Sequence, residues 1–263
     1  MLYLSTNVKL SENRAKSTSP IVAIEHALLS FAAGKHVISG TVEADAICGA
    51  ALVSRAKEAG VIYSQAYGDQ PAMTYELVDW ARSSGWHVVA AGRGHKWKPE
   101  YRFSTPDTVY ESWGTTAEQA KRGRQNPKMY NSFHDGTKPA IECAAICNAT
   151  GLDAPSGGLT YPSGSVDDIP NLMRGRDAGG VLECEGQVEV INSIGLDGKE
   201  LYHNIRTGVW VAVKALTDYQ KLFKKFNYYL FIKFPHWEFV IDWKYKQELD
   251  LRSLKSNIHL KKK

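Results

Sequence analysis

Between residues 20 and 91 the chain alternates between two periods, and that alternation leaves few architectures open to it. Ile21, Ile24, Ala27, Leu28, Phe31 and Ala32 recur at helical spacing until Gly34-Lys35 ends the pattern. A short apolar run follows over 36–41, then a helical stretch over 44–60, a β-rich run over 61–66, a helix over 74–83 and another β-rich run over 87–91. Helices interleaved with short β-rich runs imply parallel strands joined by crossovers, so the expected class is α/β with a doubly wound layout. Ligands of such sheets gather beyond the carboxyl ends of the strands. This singles out the polar groups over 41–45, 68–71 and 92–96.

Further along, residues 99–127 read as loop with one helical piece over 116–122, and Asp135-Gly136-Thr137-Lys138 opens a helix that ends before Gly151. Residues 153–170 read as an extended surface loop. Residues 180–194 and 202–215 alternate like strands, with Asp197-Gly198 between them as a hairpin signal. Gly92-Arg93-Gly94 follows a strand, but neither a third glycine nor a clear helix continues it, so it matches a Gly-x-Gly-x-x-Gly phosphate loop poorly. The chain therefore reads as starting inside a dinucleotide domain, after its phosphate loop.

Length allows one large or two small domains, and the 43% hydrophobic content is ordinary for a buried core. From Lys221 onward the chain holds eleven Lys and Arg against four Asp and Glu, so the net charge of +4 is made in the tail and the body is mildly acidic. This argues against a nucleic-acid surface on the main body. Four scattered cysteines, Cys48, Cys143, Cys147 and Cys184, make no disulfide framework, and without a signal peptide the expected location is the cytoplasm. Cys143 and Cys147 read as buried small side chains, not metal ligands, and no apolar run reaches the length of a membrane span.

Several motifs in fixed order carry a resemblance. Lys35-His36-Val37, Val42-Glu43-Ala44-Asp45, Gly68-Asp69-Gln70-Pro71, the run over 76–82, Gln125-Asn126-Pro127-Lys128-Met129, Asp135-Gly136-Thr137-Lys138 and Asn148-Ala149-Thr150-Gly151-Leu152 resemble the deoxyxylulose-phosphate reductoisomerase-like oxidoreductases, often labelled homoserine-dehydrogenase-like. The resemblance runs from about residue 20 to about residue 218. It implies NAD(P)H-dependent redox chemistry on a small polar carbonyl or hydroxy compound, phosphorylated in some cases, by a truncated member of the family. The implied fold is the C-terminal part of a Rossmann-like parallel sheet followed by an α+β catalytic domain. The implied organisation is an atypical leader over 1–19, a partial dinucleotide-binding domain over 20–92, a catalytic or substrate domain over 93–218 and a foreign basic aromatic tail over 219–263. The family tends to carry Lys where this chain has Arg93, and a planar guanidinium is a poor proton carrier.

Site roles follow from the residues and the resemblance together. Lys138, beside a helix start, is the first candidate for acid or base work, with Asp135 and Lys96 managing protons and charge around it. Asp69, Gln70, Asn126 and Lys128 are candidates for substrate binding, and Thr41 and Glu43 for contact with NADP or NAD. Each has a plainer reading: Asp69 as a helix cap, Asn126 and Lys128 as a rigid solvated turn around Pro127, Glu43 as a cap. Glu142 reads as the exposed partner of Lys138 one turn away, and His134 as an incidental surface histidine. No His or Cys spacing supports zinc; a divalent cation on Asp and Glu oxygens stays open. A small-molecule substrate is the expected partner, with no nucleic acid and no membrane, and homodimer assembly stays open. The rival reading is a catalytically inactive fragment that serves as a binding or interaction module, with the tail as its arm.

Overall fold

The structure, a computed structural model, describes residues 2–5, 19–112, 115–214, 228–234 and 237–239, with backbone alone for 2–5, 111–112, 228–234 and 237–239. Its first layer is a three-stranded sheet in the order β1 (Leu2–Ser5), β2 (His36–Ser39), β3 (Tyr63–Gln65). Strands β2 and β3 are parallel, with Val37 opposite Tyr63 and Ser39 opposite Gln65, and β1 runs antiparallel to β2. Helix α1 (Pro20–Ala32) begins with a proline, whose missing N–H costs nothing at that position, and gives way to Gly34 at φ 66°. Together with α2 (Val42–Glu58) it covers one face of the sheet. Ala23, Ala27 and Phe31 of α1 meet Ala44, Leu52 and Ala56 of α2 over Val37, and Phe31 packs edge-on against Tyr63 at 5.9 Å.

Helix α3 (Gln70–Ser83) leads to β4 (His87–His95), which founds a second sheet in the order β5-β4-β6-β7-β8. Its other strands are β5 (Gln187–Asn192), β6 (Val209–Lys214), β7 (Tyr228–Phe234) and β8 (Trp237–Phe239). Only β4 and β5 are parallel. Between β4 and β5 come α4 (Val109–Ser112), α5 (Ala117–Arg122), α6 (Pro127–His134), α7 (Thr137–Thr150) and α8 (Ile169–Leu172). One face of the sheet, with Val88, Ala91, Val188, Val190, Val209, Val211 and Val213, packs on α3 and α7. The other, with Val89, Ala90, Ile191, Trp210 and Ala212, packs on residues 166–182 and Ile205. Val89 and Ala90 share a face although adjacent because the register slips between Val88 and Ala90, a bulge that inverts the alternation from there on. Among the described residues, no helix is long and apolar enough to cross a membrane.

The α/β class stands, and α1, β2, α2, β3 and α3 lie within a few residues of the expected elements. The doubly wound layout does not extend to β4: this strand leaves the parallel pair and pairs with β5 and β6. It also runs unbroken to His95, so Gly92-Arg93-Gly94 is strand interior and not a post-strand loop. Both glycines are demanded by packing, since a Cβ on Gly92 would overlap the Glu189 carbonyl oxygen and one on Gly94 the Ile205 carbonyl oxygen. Asp197-Gly198 does form a turn, with Gly198 at φ 78° and a bridge between Ile194 and Glu200. The strands around it nevertheless do not form a hairpin, because β4 lies between β5 and β6.

Residues 153–170 are irregular and partly exposed up to Asp168, as expected of a loop, but they do not run free over the surface. Bridges from Asp153 to Gln187 and from Ser163 to Asn192 lay them along β5, and Thr160 donates through its N–H and hydroxyl to the buried Glu189 carboxylate. The supposed foreign tail contributes two strands, since β7 pairs with β6 from Val209 opposite Lys233 to Lys214 opposite Tyr228. The leader likewise supplies β1, while residues 6–18 and most of the charged tail lie outside the described residues.

Alanine at Gly92 or Gly94 should lower stability by about 2–3 kcal/mol or more through overpacking. Gly157, which has nothing within 4 Å of a built Cβ, should accept alanine with a change within about 0.5 kcal/mol. Urea unfolding of the three variants checks this.

Candidate active site at the end of strand β4

After the bulge, Arg93 and His95 point to the same face of β4 as Ala91, toward α7 and the end of α6. Arg93 is 4% exposed and forms an ion pair with Glu142 of α7, itself 1% exposed; its Nε also donates to the Gly94 carbonyl at 3.1 Å. Burial pulls the guanidinium's pKa down while Cys143, Asp69 and Tyr161 pull it up, and arginine's high intrinsic basicity keeps it charged beside Glu142. His95 is buried, with Nε2 at 2.7 Å from the Phe133 carbonyl oxygen. A carbonyl only accepts, so Nε2 carries the proton and Nδ1 holds the lone pair. Burial first, and the Arg93 charge second, push the His95 pKa down to about 3, so the ring is neutral near pH 7.

Tyr101 and His134 stack at 3.7 Å and, with Phe133, wall a cavity of about 280 Å³. Arg93, His95 and Lys96 from the end of β4, and Arg206 and Thr207 from the turn before β6, complete its lining. Three of those side chains are cations and none is a carboxylate. Beyond the lining, Glu200 lies 3.8 Å from Lys96 and 3.4 Å from Arg206. Burial also lowers the His134 pKa, against the upward pull of Asp135.

The start of α7 forms a second cluster. Gly136 takes φ 89°, and its carbonyl accepts from the Tyr161 hydroxyl at 2.9 Å. Asp135 accepts from the Thr137 N–H at 2.8 Å and from the Asn131 amide at 3.0 Å. Lys138 reaches across to α2 and donates to Glu43 at 2.7 Å, with only 14% of its side chain exposed. Burial would raise the Glu43 pKa, but the hydrogen bond and charge of Lys138 outweigh it and hold the carboxyl below its ordinary value. Behind this bridge the Asp45 carboxylate accepts from the Tyr63 hydroxyl at 3.1 Å and from the Gln65 amide.

The structure brings together two residues given separate roles, Lys138 and Glu43, and places Lys96 in the cavity. Asp69 caps α3 by accepting from the Gln70 N–H at 3.0 Å, and it lies within the electric field of Arg93. Asn126 caps α6 by accepting from the Lys128 N–H at 3.0 Å, and both residues are exposed. Pro127 therefore begins a helix and is not the centre of a rigid loop. Thr41 is buried, its N–H donating to Ser39 Oγ at 3.2 Å. Two expectations fail: Glu142 is buried against Arg93 and is not the exposed partner of Lys138, and His134 is 6% exposed and stacked, not incidental surface. Arg206 and Tyr101 had no sequence signal, since only folding carries the turn before β6 and the 3-10 turn Pro99–Phe103 to the end of β4. Among the described residues, no group of three or more His, Cys, Asp and Glu is arranged to hold a metal ion.

Residues 68–240 match the family model described as "Oxidoreductase DRL, catalytic domain". No curated protein matches the chain significantly. The matched span takes in the whole second layer, from the α3 cap to β8, and with it every residue of the cavity.

Replacing Glu142 by Leu strands a buried guanidinium and should cost about 3–5 kcal/mol in denaturant unfolding, while the Arg93→Met/Glu142→Leu pair should recover most of it. His95 makes stability depend on pH: the unfolded ring takes a proton below about 6.5 and the folded ring only near 3. Its contribution is therefore complete above about pH 6.5 and declines as pH falls toward about 3. Melting temperatures of His95→Asn across that window should fall less steeply than those of the parent.

Proposed function

This chain belongs to the DRL oxidoreductase family, and we propose on that premise that it acts on a small polar carbonyl or hydroxy compound bearing an anionic group, with NADP or NAD as redox partner. The observation that carries the substrate reading is the cavity at the end of β4: Arg93, Lys96 and Arg206 line it from two chain segments and no carboxylate shares the lining. A carboxylate or phosphate fits that lining in charge and size.

Each side chain has a task in this reading. Lys96 and Arg206, both partly exposed, grip the anionic group, and Arg93, neutralised by Glu142, presents a fixed fork at the cavity's inner end. His95, locked by Phe133, offers Nδ1 as an acceptor for a substrate hydroxyl. The stacked Tyr101 and His134 exclude water from one side. Lys138 and Asp135, at the start of α7, are proposed to handle protons and charge beside the cavity; Lys138 is held in a fixed direction by Glu43 and Asp135 by the Thr137 N–H.

A nicotinamide cofactor would bring the hydride. At the start of α2, where the candidate cofactor contacts lie, the Thr41 N–H already donates to Ser39 Oγ and Glu43 is engaged by Lys138. The same observation favours a second reading, in which the chain binds the substrate without turning it over.

Steady-state assays that follow NADPH or NADH absorbance, with matched carbonyl compounds that carry or lack a carboxylate or phosphate, test the proposal. Arg206→Met should raise KM for the anionic compounds about tenfold while kcat changes less than about threefold, as for an interaction made equally in ground and transition states. Equal kcat/KM for anionic and neutral compounds would sink it. Saturable binding of the anionic compounds without turnover would favour the second reading.

A further inference from the structure

We infer that Glu200 is a specificity-determining residue of this cavity, an internal carboxylate that ties the two partly exposed cations Lys96 and Arg206 and holds off ligands in proportion to their negative charge, dianions more than monoanions. The inference rests on the reading of the cavity as the seat of an anionic group and adds a discriminating element to it.

Glu200 is held in place by main chain. The Gly195 N–H donates to the Lys199 carbonyl at 2.8 Å, the Leu201 N–H to the Ser193 carbonyl at 2.8 Å, and Ile194 bridges Glu200 across the turn at Asp197-Gly198. From that fixed point one carboxylate oxygen lies 3.8 Å from Lys96 Nζ and the other 3.4 Å from an Arg206 guanidinium nitrogen. The two cations come from different segments, the end of β4 and the turn before β6, so a single carboxylate gathers them.

The third cation of the lining is already spoken for, because Arg93 has its own buried counterion in Glu142. Lys96 and Arg206 are therefore the charges an entering anion recruits, and Glu200 is the charge that repels it. The side chains of Lys96, Arg206 and Glu200 are 35%, 44% and 40% exposed, and contacts of this length and exposure are weak enough to exchange. Because Glu200 stays beside the two cations, its repulsion grows with the charge of the entering anion and costs a dianion more than a monoanion.

Coulomb's law supplies a test that a purely structural role would not pass. Removing one negative charge near a site favours a ligand in proportion to the ligand's own charge, so the gain in affinity for a dianion is the square of the gain for a monoanion at the same place. Titration calorimetry on the full chain, at fixed ionic strength, would compare sodium sulfate with sodium nitrate for the parent, Glu200→Gln, Glu200→Asp and Arg206→Met. Glu200→Gln should bind sulfate about tenfold tighter and nitrate about threefold tighter. Glu200→Asp, which keeps the charge, should stay close to the parent, and Arg206→Met should lose most sulfate binding.

Unchanged or weaker sulfate binding by Glu200→Gln, or equal gains for both anions, would overturn the role of Glu200 while leaving the cavity as an anion site. A fall in melting temperature without a change in affinity would overturn it equally. If neither the parent nor Glu200→Gln binds either anion, the reading of the cavity fails and the role of Glu200 fails with it.

Discussion

A charge pair almost wholly withdrawn from water, Arg93 with Glu142, sits where β4 meets α7, and the second layer is arranged around it. Two such charges persist in a protein interior only when each satisfies the other, so the pair fixes the rotation of α7 and its height over the sheet. The strand meets the same demand on its other side. Gly92 and Gly94 flank Arg93, and both must lack a side chain because the Glu189 and Ile205 carbonyls press against that face. Gly-Arg-Gly is thus a strand squeezed by main chain on one face and carrying a guanidinium on the other.

From this anchor α7 becomes a brace between the two sheets. Glu142 ties it to β4; one turn earlier, Lys138 ties it to α2 through Glu43, and near its far end Asn148 donates to the Asp45 carbonyl at 2.8 Å. Residues four apart on a helix lie on neighbouring positions of its surface, so one helix can serve both layers. The cavity opens at the end of β4 beside this brace, where the chain turns away and main chain no longer fills the space. Its inner cation is rigid and internally neutralised, whereas the two at its mouth are loosely held. Rigid geometry on one side and weakly paired charge on the other suit the proposed role of the cavity as a seat for an anionic group.

The sequence shows the local elements well and the global pairing poorly. Ile21 to Ala32 announces α1 because helical period and a proline start are local facts, and Gly151 at φ 70° ends α7 where its type suggests. The hairpin suggested by Asp197-Gly198 is real as a turn and wrong as a pairing, since a turn signal reports its own four residues and not which strand slips between the flanking ones. Residues 153–170 look like a surface loop from their glycines and prolines, yet their main chain lies along β5 and feeds the buried carboxylate of Glu189. Composition marks flexibility in the unfolded chain; it does not tell where a segment finds its hydrogen-bond partners.

By itself, then, the sequence determined the α/β class and most helix limits, and it offered the cap as one of two readings of Asp69, all of which depend on neighbours within a few residues. Tertiary structure alone decided that Glu142 faces Arg93 and not Lys138, that Lys138 meets Glu43 from 95 positions away, and that His134 is buried against Tyr101. The physical reason is that an ionisable side chain takes its role from burial and from the charge opposite it, and both are set by packing between elements far apart along the chain.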